Sequence, residues 1–300
     1  MKNITPFLWF DNQAEKALNF YISVFKDARI KNLKFYGKEG PGKEGTVKSC
    51  TFILEGLEIM AIDGGPEFHF TPAISFFINC DTEFEADELW NKLSNEGTAL
   101  YDMDKRPFGT RYGWLQDKFG IFWQINLISS AQKIVPFLTF AGKQSGRAQE
   151  AVEFYVSVFD HSDIIAIYLY QADEGGVEGK VKHCRFLLYD QEFLAMDGGA
   201  EKDLEFNPAT SLFVQCETQE EIDSFWEKLS AQGGEQGVCG WLTDRFGVSW
   251  QVVPAALDGW LNDSDSERAK RVMDALLKMR KIEIEGLRQA FEGRGEEQDS

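Results

Sequence analysis

The feature that most constrains this chain is that it says nearly everything twice. "PFLWF" at 6–10 returns as "PFLTF" at 136–140, and "FYISVF" at 20–25 as "FYVSVF" at 154–159. "AIDGG" (61–65) returns as "AMDGG" (195–199), and "TPAISFFINC" (71–80) as "NPATSLFVQC" (207–216). "WNKLS" (90–94) matches "WEKLS" (226–230), and "LQDKFGIFWQI" (115–125) matches "LTDRFGVSWQV" (242–252). A spacing this long repeats a whole domain and not a solenoid unit. The polar link "SSAQK" (129–133) marks the boundary, so the expected domains are 1–130 and 131–254, with a tail over 255–300. The second copy loses nine residues just before its last strand.

Within each copy the pattern of apolar residues switches between helical and strand periods. Ala14, Ala17, Leu18, Tyr21, Val24 and Phe25 fall on one helical face. Residues 47–54 alternate, with Cys50, Phe52 and Leu54 on one side. Thr82 with Glu85, and Thr218 with Glu221, have the spacing of capping boxes that open helices, and Gly97 and Gly233 follow as stop signals. Each copy therefore reads as two βαβββ halves, an α+β fold. In the tail, Ser264 and Glu267 suggest a further cap, and Val272, Met273, Leu276 and Leu277 an apolar helical face. Leu287 and Phe291 suggest a second short helix, and 293–300 is expected to be disordered.

These motifs in this order resemble the vicinal oxygen chelate superfamily of glyoxalase, bleomycin-resistance and extradiol dioxygenase relatives. More narrowly they are similar to its PhnB-like branch, also called demethylubiquinone methyltransferase-like. The resemblance rests on "PFLWF…FYISVF", "VKHCRFLL" (181–188), "AMDGG", "TPAISFF" and "DKFGIFWQ" or "DRFGVSWQ", and spans residues 4–290. It implies two glyoxalase-like domains whose βαβββ halves curl into cupped sheets around a pocket. Single-domain relatives pair as dimers, so the tandem chain is expected to be an internal pseudo-dimer, with a further homodimer left open.

The expected partner is a small molecule, anionic or aromatic. A net charge of −18 argues against nucleic acid and against an anionic membrane surface. No apolar run reaches the length of a membrane span. Five cysteines without a CxxC spacing, in a chain with no signal pattern at its start, read as reduced thiols in the cytoplasm. If Cys184 faces the helices, His183 and Arg185 face the cup, as do Gln124 and Gln251 on the closing strands. Arg106, Arg111, Tyr112 and Trp114 belong to a basic and aromatic loop present only in the first copy, and such a loop at a pocket mouth suits an anionic or aromatic ligand. Asp63 and Asp197 precede Gly-Gly turns; turn capping is the default for such aspartates, with ligand contact at the rim as the alternative.

The resemblance implies that metal-binding relatives carry a carboxylate where this chain has Gln124 and Gln251, and an amide is a poorer ligand for a divalent cation. No resident cofactor is therefore expected. A metal, if present, is expected at His183, Gln251 and Asp197, with His183 and Gln251 lining one second-copy cavity. Three functions compete: a binder without a tight metal, a metal-assisted isomerase, lyase or dioxygenase, and a methyltransferase. The last is disfavoured because "DGGPE" follows a strand without helical periodicity behind it.

Overall fold

Four times the chain runs strand, helix, then three strands. The computed structural model describes residues 2–37, 43–105, 111–199 and 204–294. The first module is β1 (Ile4–Phe10), α1 (Ala14–Val24), β2 (Ala28–Phe35), β3 (Val47–Leu54) and β4 (Leu57–Asp63). The second is β5 (Ile74–Cys80), α2 (Glu83–Leu93), β6 (Thr98–Lys105), β7 (Arg111–Gln116) and β8 (Phe122–Leu127). The third is β9 (Ile134–Phe140), α3 (Ala148–Val158), β10 (Asp163–Leu169), β11 (Val181–Leu188) and β12 (Gln191–Asp197). The fourth is β13 (Thr210–Cys216), α4 (Gln219–Leu229), β14 (Glu235–Gln236), β15 (Trp241–Thr243) and β16 (Ser249–Pro254). Three helices follow: α5 (Leu257–Leu261), α6 (Ser266–Leu276) and α7 (Ile284–Glu292). The nine-residue loss is visible here, since β14 and β15 are stubs of the longer β6 and β7.

The chain divides into two compact units, residues 5–211 and residues 1–4 with 212–300. In the first unit β5–β12 form an eight-stranded sheet in the order β10-β11-β12-β9-β5-β8-β7-β6. Its centre is the antiparallel pair β5·β9, with Ser75 opposite Phe137 and Phe77 opposite Val135. The sheet thus joins a half of the first copy to a half of the second, so the pairing crosses the repeat boundary. The same unit holds β1-β4-β3-β2, and the other unit holds β14-β15-β16-β13.

Within the first copy the two modules meet through their helices instead. α1 touches α2, and one apolar core takes in Leu18, Tyr21, Phe52, Phe76, Leu89 and Trp123. At its centre is Asp117, the aspartate of "LQDKFG". Its Oδ1 accepts from the backbone N–H of Phe119 (2.8 Å) and Ile121 (3.0 Å). Its Oδ2 accepts from Trp123 Nε1 (2.8 Å) and from the Tyr21 hydroxyl (2.8 Å). Burial pushes this carboxyl upward while the four hydrogen bonds pull it down. The Tyr21 phenol is pushed well above its ordinary value, first by burial and then by Asp117, so it stays a donor. Asp244 repeats the arrangement, accepting from Phe246 N–H, Val248 N–H and Trp250 Nε1.

Thr82 and Thr218 cap α2 and α4, accepting from the N–H of Glu85 (3.1 Å) and Glu221 (3.3 Å). The reciprocal bonds run one residue further back than a capping box has them: Glu85 accepts from Asp81 N–H and Glu221 from Glu217 N–H. In the tail, Val272, Leu276, Ile282 and Leu287 are buried with Val253 and Leu257. The cap of α6 is Asp265 and not Ser264, because its carboxylate reaches the N–H of both Glu267 and Arg268. Leu277, expected on the apolar face, is 60% exposed, since α6 ends at Leu276. Residues 295–300 lie outside the described residues.

Candidate functional site

Strand alternation gives the β5–β12 sheet two unlike faces. One carries Phe76, Ile78, Trp123 and Ile125 and is covered by α2, with α3 packed over β10–β12. The helix-free face has its own apolar cluster: Phe77, Val135, Phe137 and Leu194, with Tyr112 and Met196 against them. In "FWQI" the tryptophan therefore enters the helix-side core while the next residue, Gln124, enters the other face.

Gln124 is 3% exposed, and its amide is satisfied at both ends. Its Oε1 accepts from the Tyr112 hydroxyl (2.9 Å), and its Nε2 donates to Ser75 Oγ (2.8 Å). This is how a buried polar side chain keeps its partners. Trp114, opposite Gln124 on β7, stacks on Tyr101 with ring centroids 5.8 Å apart. Its indole Nε1 is buried without a partner, as is Nε of Arg111. The Arg111 guanidinium pairs with Asp87 on α2. Arg106 lies outside the described residues.

On the other flank, Tyr168 of β10 stands opposite His183 of β11. The His183 ring lies 6.5 Å from Tyr168 and 6.3 Å from Phe137, and Phe137 stacks on Phe77 at 6.0 Å. Burial holds the imidazole below its ordinary value; Glu192 pulls it up and Arg185 pushes it down. Arg185 makes a two-pronged pair with Glu192, Nε to Oε1 at 2.7 Å and Nη2 to Oε2 at 2.8 Å. An open groove of about 580 Å³ runs along this flank, lined by Ile167, Tyr168, Leu169, Lys182 and His183 among others.

One expectation needs correction. His183 shares its sheet with Gln124, whereas Gln251 is on β16, paired with β13 and β15 in the other unit. The expected cavity lined by His183 and Gln251 assumed that the halves of one copy share a sheet, and they do not. Asp197 is a structural anchor: Oδ1 accepts from Ala148 N–H at the start of α3 and Oδ2 from Val181 N–H. Asp63 likewise receives the N–H of Gln13 and Ala14 at the start of α1. Helix N-termini favour such a carboxylate. A catalytic divalent metal usually needs three protein ligands. Among the described residues no three His, Cys, Asp or Glu side chains come together, Asp197 is committed to backbone donors, and Gln251 is in the other unit. Among the described residues of the first unit, no three-ligand set for a divalent metal is assembled.

Sequence reasoning missed Ser75, Phe77, Phe137, Thr139 and Tyr168. A signal for Ser75 and Phe77 existed in the alternate positions of "ISFF", and for Thr139 in the one mismatch between "PFLWF" and "PFLTF". All five cysteines are free thiols. Burial pushes Cys50, Cys80, Cys184 and Cys216 up to about 12. No helix among the described residues is long and apolar enough to cross a membrane.

Tandem βαβββ modules around two-faced sheets make a glyoxalase-like fold. Glyoxalase I from Zea mays shares that fold, with a TM-score of 0.58 at 9% identity over 84% of this chain and 92% of that one. A family profile described as 3-demethylubiquinone-9 3-methyltransferase matches residues 2–126 and again 132–253, and the chain belongs to that family. It is also similar to a PhnB protein from Bacillus cereus, described as a putative 3-demethylubiquinone-9 3-methyltransferase. That likeness has 45% identity over 41% of this chain and 97% of that one, with a TM-score of 0.40. No curated protein matches.

Proposed function

We propose that the chain binds a small organic molecule on the helix-free face of the β5–β12 sheet, without a tightly held catalytic metal. The observation that carries this is the second apolar cluster, Phe77, Val135, Phe137 and Leu194, on the face opposite the one that packs on α2 and α3. A sheet face with nothing to bind is ordinarily polar. Here an apolar floor surrounds a few fixed polar groups, which is the make-up of a ligand pocket. Membership of the PhnB-like branch and the glyoxalase-like fold support the same reading.

Native mass spectrometry of the purified full chain tests it. The expected result is an adduct of small-molecule mass, retained in gentle ionisation and lost in Phe137→Glu. A chain that carries no adduct from any growth medium, and whose melting temperature responds to none of a panel of aromatic and aliphatic compounds, would rule the pocket out.

A further inference from the structure

Two sheet edges that the repeat would make alike are not alike. β2 and β10 are the same strand in the two copies. Among the described residues each pairs only with its inner neighbour, β2 with β3 and β10 with β11. The match extends to the backbone irregularity, which falls between Ile30 and Asn32 in one and between Ile164 and Ala166 in the other. Edge strands present unpaired backbone N–H and C=O groups, and charged side chains, lysine above all, keep other strands away from them. β2 reads "ARIKNLKF" and has Arg29, Lys31 and Lys34. β10 reads "DIIAIYL", and the counterparts of those three are Asp163, Ile165 and Tyr168. From Ile164 to Tyr170 no residue is charged. The apolar side chains stand in solvent, with Ile165 46% exposed, Tyr168 61% and Leu169 37%.

The other edges narrow what could cover this one. The opposite edge of the same sheet, β6, reads "TALYDMDK" and has Asp102 and Asp104. Joining β10 to β6 of another molecule would set apolar side chains beside carboxylates, and the head-to-tail contact would leave a free edge at each end. Pairing β10 with β10 has neither fault. Ala166 and Tyr168 stand opposite Arg185 and His183 on β11, so they share a face. In an antiparallel register centred on Ile167, Ile167 meets its own copy, Ala166 meets Tyr168, and Ile165 meets Leu169. A small residue then lies against the largest one, and no charges are opposed. One such contact uses both bare edges, so assembly closes at two chains.

We infer that β10 is the docking edge for a second copy of this chain, the two β10 strands pairing antiparallel about Ile167 to make one continuous sheet. The inference stands apart from the proposed ligand binding. A seven-residue strand on each side is a small contact beside the roughly 800 Å² per partner of a standard interface. Association is therefore concentration-dependent, with a dissociation constant of about 1–100 µM.

Sedimentation velocity of the full chain across the micromolar range tests this. The unaltered chain is expected to pass from monomer to dimer and no further. Ile165→Lys combined with Tyr168→Lys puts back the lysines of β2. It is expected to weaken the dimer by about tenfold or more, because like charges then face one another across the contact. Both side chains are exposed, so the melting temperature should not move. Ile167→Cys is expected to cross-link two chains under mild oxidation, while its counterpart on β2, Leu33→Cys, is not. A chain that stays monomeric throughout, or that grows into larger assemblies, would overturn the inference. So would a dimer that survives the two lysines undiminished, or one that cross-links as well through Leu33→Cys.

Discussion

His183 shows how a single side chain reports its surroundings. Alternation along "VKHCRFLL" places it opposite to Cys184, and the structure agrees: Cys184 is fully buried on the helix side, while His183 lines the groove. Its imidazole resists protonation chiefly because it is buried. The folded chain therefore takes up that proton less readily than the unfolded chain. The associated stability is fully present above the unfolded value, about 6.5 for histidine, and is lost as pH falls through the lower folded value. Urea titrations of the unaltered chain and His183→Gln, from pH 8 to pH 5, should show the unaltered chain losing stability relative to the variant on the acid side. A constant difference across that range would contradict the assignment. Asp117 teaches the opposite lesson about legibility. Its place in a "DKFG" turn suggested nothing beyond the turn, because its partner Tyr21 lies far away in sequence and is brought to it only by packing of α1 against α2.

At the scale of elements, patterning read well wherever one face is apolar and the other is not. The strands, the helices and both threonine caps follow from period and spacing. What failed were local choices between near-equal residues, such as Ser264 against Asp265 at the start of α6; both can cap. The tail is more than an appendage. The segment leading to α7 runs beside the start of β15: Met279 O accepts from Cys239 N–H and Arg280 O from Gly240 N–H, both at 2.8 Å. Ile282, fully buried, pins it under α6 and α7. Ile282→Ala should cost about 2–4 kcal/mol in a urea titration, as buried large-to-small changes do. A loss below about 1 kcal/mol would mean that the tail contributes little to its unit.

At the scale of the molecule, the repeat was legible and the pairing was not. The edges of β1 and β9 read alike, "PFL", and so do those of β5 and β13, "PAISFF" and "PATSLF". Nothing in such matched strands tells β5 to choose β9, since either partner offers the same backbone donors and the same apolar row. The observed choice has a testable cost: residues 1–130 expressed alone expose the β5 edge that β9 covers. Unpaired edges recruit other strands, so that fragment is expected to self-associate in sedimentation, and adding residues 131–300 should disperse it. A fragment that stays monomeric would contradict the expectation. The linkage at 129–133 has a consequence of another kind. A symmetric pair of identical polypeptides must change both of its clefts at once, because every substitution is made twice. A covalent tandem is released from that rule. Trp9 can stay in one copy while Thr139 replaces it in the other, and β14 and β15 can shrink while β6 and β7 stay long. Joining the copies end to end is what lets one lineage of the repeat specialise while the other keeps the scaffold upright.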